Sequence, residues 1–453
     1  MNRRSPPALL GTTAIQHNAV GGRVLRWILT AIVCAAPFAM SLRKLALANQ
    51  DFQIGIDFRM TYTAARTWRL RQDPYDDATL KAVWSASGAP HMTPPGRPQT
   101  PNVYPLSIAP LLAPLSWLPF PPAFAIWLLI NAAAAGWIAW LIATSDAPRR
   151  ERGAGEDPDR TATPWFLPAA AACIVVFGFP LHYGLVVSNL AVTTTLCVLL
   201  TLRHRDDAPA LAGLLFGLAL VKYTLCAPLA LIFAIERRWR LLGVAGVTQL
   251  ALLVLATLGY AGDSPFGWIP RMLAECRASL EPGAVNDYAS LDYTALHTEL
   301  AALLYRLAPI LADARHVILA ALGVVTLLAC RRASIGRNAA ASADMRYIVV
   351  LALTMIAVYH RVYDLIVVVA PLTVWLIRYR QSIPFNHSAW LWFAAAFSMY
   401  AGPTIAGGSA NAPWTVLAFV QPNAIWATLI ILLAGIAAMR SLAPRRDPIG
   451  DGV

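Results

Sequence analysis

Residues 208–235 read APALAGLLFGLALVKYTLCAPLALIFAI, and this stretch decides the fold. A bilayer-spanning helix needs about 20 apolar residues, so the run is too long for one span. Its single charge is Lys222. Arg203 and Arg205 precede it, and Arg237, Arg238 and Arg240 follow it. Basic residues collect on the cytoplasmic side of a membrane protein, which puts both flanks on one side. A tight hairpin satisfies both and places Lys222 near its outer apex. Each arm of about 13 residues rises about 20 Å, which leaves Lys222 below the outer membrane surface.

The rest of the chain repeats the pattern. Its 453 residues are 58% hydrophobic and 13% charged, with mean hydropathy +0.55. That excludes a soluble globular protein and fits an all-α polytopic membrane protein. The net charge of +12 lies in short clusters between apolar runs. Such clusters set topology, and no basic domain tracks a nucleic-acid backbone. Of six cysteines, Cys34, Cys173, Cys197, Cys226 and Cys330 lie in or beside apolar runs, and Cys276 stands in a loop. Their spacing implies neither a disulfide framework nor a zinc site.

The topology follows in order. A basic cytoplasmic segment, 1–26, precedes a first span at 27–46, which lacks an A-x-A cleavage site and reads as a retained anchor. The integral membrane region extends over 27–440. A long first outer loop, 47–120, carries a juxtamembrane helix and a proline-dense segment, 104–119, suited to a short membrane-dipping piece. Spans are expected at 123–143, 165–180 and 185–202, then the hairpin, then 241–260. His182, Tyr183 and Gly184 fall in the turn between two of these spans. A second outer loop, 261–313, precedes spans ending at Cys330 and covering 346–358, 365–377, 390–404 and 422–439. A cytoplasmic tail, 441–453, closes the chain. The total is about twelve spans and one partial segment. Basic loops at 146–160 and 331–337 fall inside. No internal repeat of the transporter kind is visible.

Several polar groups interrupt this scheme. Residues 51–77, DFQIGIDFRMTYTAARTWRLRQDPYDD, read as a short helix from Asp57 and a turn at Asp73–Asp76. Asp57 heads the Met60, Ala64 and Trp68 face, while Arg59, Tyr62, Arg66 and Arg69 share another. Asp57 is either a helix N-cap or a catalytic base. Lys222 costs about 2.5–3.5 kcal/mol to insert in a helix centre; it either snorkels to headgroups or meets an anionic phosphate. His360-Arg361-Val362-Tyr363-Asp364 joins two spans with almost no loop. It is either a clamp pairing Arg361 with Asp364, or a phosphate-binding arginine with His360 or Tyr363 on phosphate or sugar. His182, Tyr183, Ser188 and Asn189 are either helix-end caps or substrate contacts. Asp76-Asp77 is a weak divalent-metal signal. Scattered Trp and Tyr near span ends fit an interface belt. Asp57, Lys222, the cluster Asn286, Asp287 and Asp292, and the His360–Asp364 turn all fall on the outer face under one topology.

With these residues in hand, the chain resembles a bacterial group of polyprenol-phosphate-dependent glycosyltransferases, family 87 of the GT-C fold, which includes α-mannosyltransferases. Asp57-Phe58-x-x-x-Tyr62-x-Ala64-Ala65 with Asp73-Pro74-Tyr75-Asp76 is similar to its first-loop signature. Tyr104-Pro105 and the Leu/Pro run to Pro119 resemble a later segment, as do Ala212-Gly213-Leu-Leu-x-Gly217…Lys222 and the His360–Asp364 turn. Ser188-Asn189 stands where the family carries Gly-Gln, and Pro105 stands alone where two prolines are usual. The resemblance implies a GT-C-like bundle in the bacterial cytoplasmic membrane, with its active site facing the periplasm or exterior. It implies transfer, with inversion, of a mannose-type hexose from a polyprenyl-phosphate-sugar to a glycan or glycolipid hydroxyl, without cofactor or metal. Asp57 would be the general base, and Lys222, Arg361 and His360 would bind the donor phosphate. Tyr62, Arg66, Tyr104, His182, Asn189, Asn286, Asp287, Asp292, Tyr363 and Asp364 are candidates for substrate binding. Two other classes compete: a lipid-linked sugar or polyprenyl-phosphate carrier, and a non-catalytic membrane assembly partner.

Overall fold

The computed structural model describes residues 54–87, 102–145, 166–260, 264–284, 286–287, 297–332, 339–379, 383, 385–400 and 423–442. The expected first span at 27–46, the N-terminal segment 1–26, the loop 146–160, Asp292 and most of the C-terminal tail lie outside the described residues.

The described chain is helical. After α1 (Ile56–Arg69) and α2 (Asp77–Ser85) come α3 (Ala109–Ser116) and the long α4 (Phe120–Ala143). Next are α5 (Phe166–Phe177), α6 (Phe179–Val187) and α7 (Ala191–His204), then α8 (Pro209–Ala219), α9 (Tyr223–Cys226) and α10 (Leu229–Ile235). α11 (Trp239–Gly259) leads to α12 (Trp268–Ala278), α13 (Leu300–Leu307), α14 (Pro309–Asp313) and α15 (Arg315–Arg332). α16 (Ala339–Ala357), α17 (Ile366–Tyr379), α18 (Phe385–Tyr400) and α19 (Asn423–Leu442) complete it. Among the described residues six helical stretches are long and apolar enough to cross a membrane: Phe120–Ala143, Pro209–Cys226, Trp239–Gly259, Ala340–Ala357, Val362–Tyr379 and Ala424–Leu442. The protein is an all-α polytopic membrane protein.

The hairpin expected around Lys222 is present. A Cβ on Gly213 would meet Leu241 and Val244, and one on Gly217 would meet Ala245 and Thr248. The numbers rise together on both helices, so α8 and α11 run parallel in close contact. Parallel neighbours require a return of the chain between them, and α10 supplies it. Arg238 Nη1 donates to the Arg205 carbonyl at 2.9 Å, which brings the chain back to the level where α8 began. In the register set by Gly213 and Gly217, Lys222 lies about 10 Å short of the far end of α11.

One expectation is corrected, and two segments gain their structure. His182, Tyr183 and Gly184 are not a turn but lie within α6, and the break falls at Ser188–Leu190. Pro180 sits in the first turn of α6, where its missing N–H costs nothing. The proline-dense segment is helical: a 3-10 turn, Leu106–Ile108, feeds α3, with Pro110 at its start and Pro114 inside. At about 16 Å, the apolar stretch Leu106–Ser116 is too short to span a bilayer. The second outer loop carries α12, α13 and α14.

One end of the bundle is closed by charge. Arg205 pairs with Asp344, which also accepts from Tyr379 at 2.8 Å and faces Arg378 at 3.8 Å. Arg238 bridges Asp206 and Glu236, both at 2.8 Å, and Arg346 meets Glu236 at 3.1 Å. α7 ends here and α8 and α11 begin here, so Lys222 at the hairpin apex points to the opposite end.

Candidate active site

α1 is held from its first residue. Gly55 caps it with φ 71°, a left-handed conformation that glycine adopts without penalty. A Cβ there would also lie 2.6 Å from the Phe124 ring. The Gly55 amide donates to the Val186 carbonyl at 2.8 Å, tying the start of α1 to the end of α6. Asp57 is therefore the second residue of the helix, not its N-cap, and makes no capping bond. Its carboxylate accepts instead from Asn189 Nδ2 at 2.6 Å.

Another face of α1 is anchored by aromatic rings. Phe58 stacks on Trp127 at 5.5 Å, and Tyr62 meets Phe120 edge-on at 5.5 Å. Tyr62 donates to the Leu118 carbonyl at 2.7 Å, and its oxygen accepts from Arg66 at 2.9 Å. These two candidates brace the helix and do not join the Asp57 cluster.

Asn189 follows a turn made by Ser188, which takes a left-handed φ of 57°. Non-glycine residues hold that conformation at a cost, and only where neighbours enforce it. Here the Asn189 amide donates to Gly184 at 2.9 Å, and Trp127 Nε1 donates to the Ser188 carbonyl at 3.0 Å. The Asn189 side chain, 1% exposed with its residue, uses both ends. Oδ1 accepts from the Ala191 amide at 2.8 Å and from Lys222 Nζ at 2.5 Å. Nδ2 donates to Asp57 and, at 3.2 Å, to the Tyr104 hydroxyl. Burial, then the Asp57 and Asp364 carboxylates, push the Tyr104 phenol well above its usual range, so it keeps its proton.

Lys222 does not snorkel. It is 7% exposed and ion-paired with Asp364, and its ammonium lies 5.1 Å above the Tyr363 ring. Of the two readings of this turn, the Arg361–Asp364 clamp is not formed, because Lys222 takes the carboxylate. Asp364 Oδ2 accepts weakly from the Arg361 amide at 3.3 Å. His360 is 1% exposed and sits behind Asp364. Its Nδ1 lies 3.4 Å from Asp364 Oδ2 and its Nε2 lies 3.1 Å from the Thr224 carbonyl. A carbonyl only accepts, so Nε2 carries a proton.

Arg361 turns the other way. Nε donates to the Tyr359 hydroxyl at 2.6 Å and Nη2 to Asn286 Oδ1 at 3.0 Å. Tyr359 in turn donates to Asn286 Oδ1 at 2.5 Å. Burial opposes the guanidinium charge, but the surrounding tyrosines and the Asp57 carboxylate hold it firmly protonated. Tyr359 was not among the candidates, although it adjoins His360 in the same polar turn. Asp287 closes a local turn by accepting from the Gly283 amide at 3.0 Å. His182 is half-buried on α6. Asp76 accepts from the Thr79 amide at 2.8 Å as the N-cap of α2, and Asp77 pairs with Lys81 at 2.6 Å.

Asp57, Asn189, Tyr104, Lys222, Asp364 and His360 thus form one hydrogen-bonded chain from separate elements, with Arg361, Tyr359 and Asn286 adjoining it. The sequence model of glycosyltransferase family 87 matches residues 102–358. Tyr104, Asn189 and Lys222 fall inside the match, Asp57 precedes it, and His360–Asp364 follows it. No curated protein and no solved structure matches the chain. A family match over more than half of a helical, membrane-spanning chain settles the class: the protein belongs to glycosyltransferase family 87 and is a membrane glycosyltransferase.

Proposed function

We propose that the protein transfers a mannose-type hexose from a polyprenyl-phosphate-sugar to a hydroxyl of a glycan or glycolipid, on the outer face of the bacterial cytoplasmic membrane. The observation that carries this reading is the meeting of the Asp57 carboxylate and the Lys222 ammonium through one buried side chain. Nucleotide-sugars are absent outside the membrane, which makes a lipid-linked donor the chemically available one.

The acceptor oxygen attacks the anomeric carbon as its proton passes to Asp57, which must lie within hydrogen-bond reach of that oxygen. The bond between the anomeric carbon and the phosphate oxygen breaks, and its electron pair leaves with polyprenyl phosphate. One displacement inverts the anomeric centre. The departing phosphate gains negative charge, and Lys222 and Arg361 offset it. Among the described residues, Lys222 directs N–H groups to Asn189 and Asp364. An ammonium has three donors, so one is left for a phosphate oxygen. His360, enclosed behind Asp364, orients that carboxylate and does not contact the donor.

The test is transfer of radiolabelled sugar from a panel of polyprenyl-phosphate-sugars in membranes, comparing wild type with Asp57→Asn. Transfer by wild type that is lost in an equally abundant mutant supports the reading and names the donor. Equal transfer by both removes Asp57 from the chemistry.

A further inference from the structure

We infer that Asn189 is a positioning residue that keeps the base and the donor-phosphate cation apart while aiming both at the substrate. The inference rests on the reading of Asp57 as base and Lys222 as that cation. An ammonium and a carboxylate this close in a buried site would attract each other strongly. A direct pair would occupy the carboxylate oxygens that must receive the acceptor proton and would turn Lys222 away from the phosphate. The side chain between them prevents this.

Its chemistry admits few replacements. One end must accept, because Lys222 and the Ala191 amide both donate to it, at 2.5 and 2.8 Å. The other end must donate, because a carboxylate only accepts and Asp57 lies 2.6 Å away. The group must also be neutral, since a charge of either sign would pair with one neighbour and repel the other. A carboxamide meets all three conditions. Its orientation is fixed by its partners, and a flipped amide would set N–H against N–H and oxygen against oxygen.

The backbone is arranged to hold this amide in place. Ser188 takes its left-handed φ of 57° one residue earlier, the Trp127 indole fixes its carbonyl, and the Gly55–Val186 bond sets the start of α1 beside the end of α6. Strain of this kind is retained where the surroundings over-determine it.

The decisive variant is Asn189→Asp. It keeps the size, the acceptor for Ala191 and the contact with Lys222, replaces the donor end toward Asp57 and Tyr104 with a carboxylate oxygen, and sets a negative charge against Asp57. The full chain in lipid nanodiscs is assayed for kcat and KM with polyprenyl-phosphate-mannose, or with whichever donor the wild type uses in the panel. Charge-assisted hydrogen bonds of this kind are worth roughly 1.5–3 kcal/mol, so kcat is expected to fall about 10- to 100-fold. The donor KM should move by less than about threefold. Asn189→Gln, which retains the amide, should recover much of the loss. The rate is expressed per folded molecule, counted from the thermal transition, because a merely structural role for the amide would leave that rate at the wild-type value. Wild-type kcat in Asn189→Asp, or a rate loss matched by loss of folded protein, overturns the inference. Full transfer by Asp57→Asn would instead sink the assignment of the base, and the two failures are therefore distinguishable.

Discussion

Lys222 and Asp364 form a buried ion pair although 142 positions separate them in the chain. Their side chains are 8% and 5% exposed. The pair joins the hairpin apex to the turn before α17 and fixes the polar centre to the most buried spanning helix among the described residues.

Removing one partner of such a pair leaves a charge buried without its counter-ion, at a cost of about 3–5 kcal/mol. Lys222→Met and Asp364→Leu should each lower the thermal transition in detergent markedly. The double variant should recover most of that stability, since both charges are then gone. It should still fail in sugar transfer, because the phosphate cation is missing. Additive destabilisation in the double variant would show that the pair is not the interaction being measured.

The hairpin depends on close approach. A Cβ on Gly217 would lie 2.6 Å from the Thr248 Cβ and 3.1 Å from the Ala245 carbonyl. Gly217→Ala should therefore overpack the contact by about 1–3 kcal/mol. Thr248→Ala in the same chain removes the Thr248 Cγ2, which would lie 2.9 Å from the new Cβ, and should relieve that part of the overpacking. The check is a double-mutant cycle on unfolding in detergent, and zero coupling between the two changes would contradict the parallel register of α8 and α11.

The hairpin was legible because its evidence is local: one long apolar run, one lysine, and arginines on both flanks. The polar turn His360–Asp364 was legible for the same reason. What sequence could not reveal is which polar side chain meets which. Asp57 looked like a helix cap because an acidic residue before a helical pattern usually is one. The left-handed Gly55 had already taken that position, and this freed the carboxylate for Asn189. A clamp of Arg361 on Asp364 was one of two readings because the two are near neighbours in sequence, yet a lysine from a distant apolar run takes the carboxylate. Tyr62 and Arg66 lie on a face of α1 turned from Asp57, a separation the helical period carries, but the aromatic cluster that claims them comes from α4. Tertiary pairing of polar groups inside a membrane protein leaves no period in the sequence.

Asp76 offers a test at the surface. Its carboxylate caps α2 through the Thr79 amide at 2.8 Å, and hydrogen bonds from the Thr79 side chain and amide hold the carboxyl below its usual range. A folded-state pKa lowered in this way means the cap is fully formed at neutral pH and is lost as pH falls through that lowered value. Protection of the first amides of α2, as the ratio of intrinsic to observed hydrogen-exchange rate, should therefore be high at neutral pH and fall in acid. Asp76→Ala should remove the pH dependence and loosen the helix by about 1 kcal/mol. A local exchange profile identical in the two proteins would exclude the cap as a stabilising element.

The closing network at the other end separates stability from catalysis. Asp344 receives Arg205 and, at 2.8 Å, the Tyr379 hydroxyl, joining α7, α16 and α17 far from Asp57. Asp344→Ala leaves Arg205 buried without that carboxylate, and the loss should be about 3 kcal/mol or more. Asp344→Asn keeps an acceptor for Tyr379 and should cost less. Because the network meets no group of the Asp57–Asn189–Lys222 chain, the donor KM of the protein that remains folded should be unchanged in both variants. The measurement is unfolding in detergent beside transfer kinetics on the folded fraction. A large rise in KM for Asp344→Asn, without loss of stability, would place this end of the bundle in contact with the donor and require the polarity of the site to be redrawn.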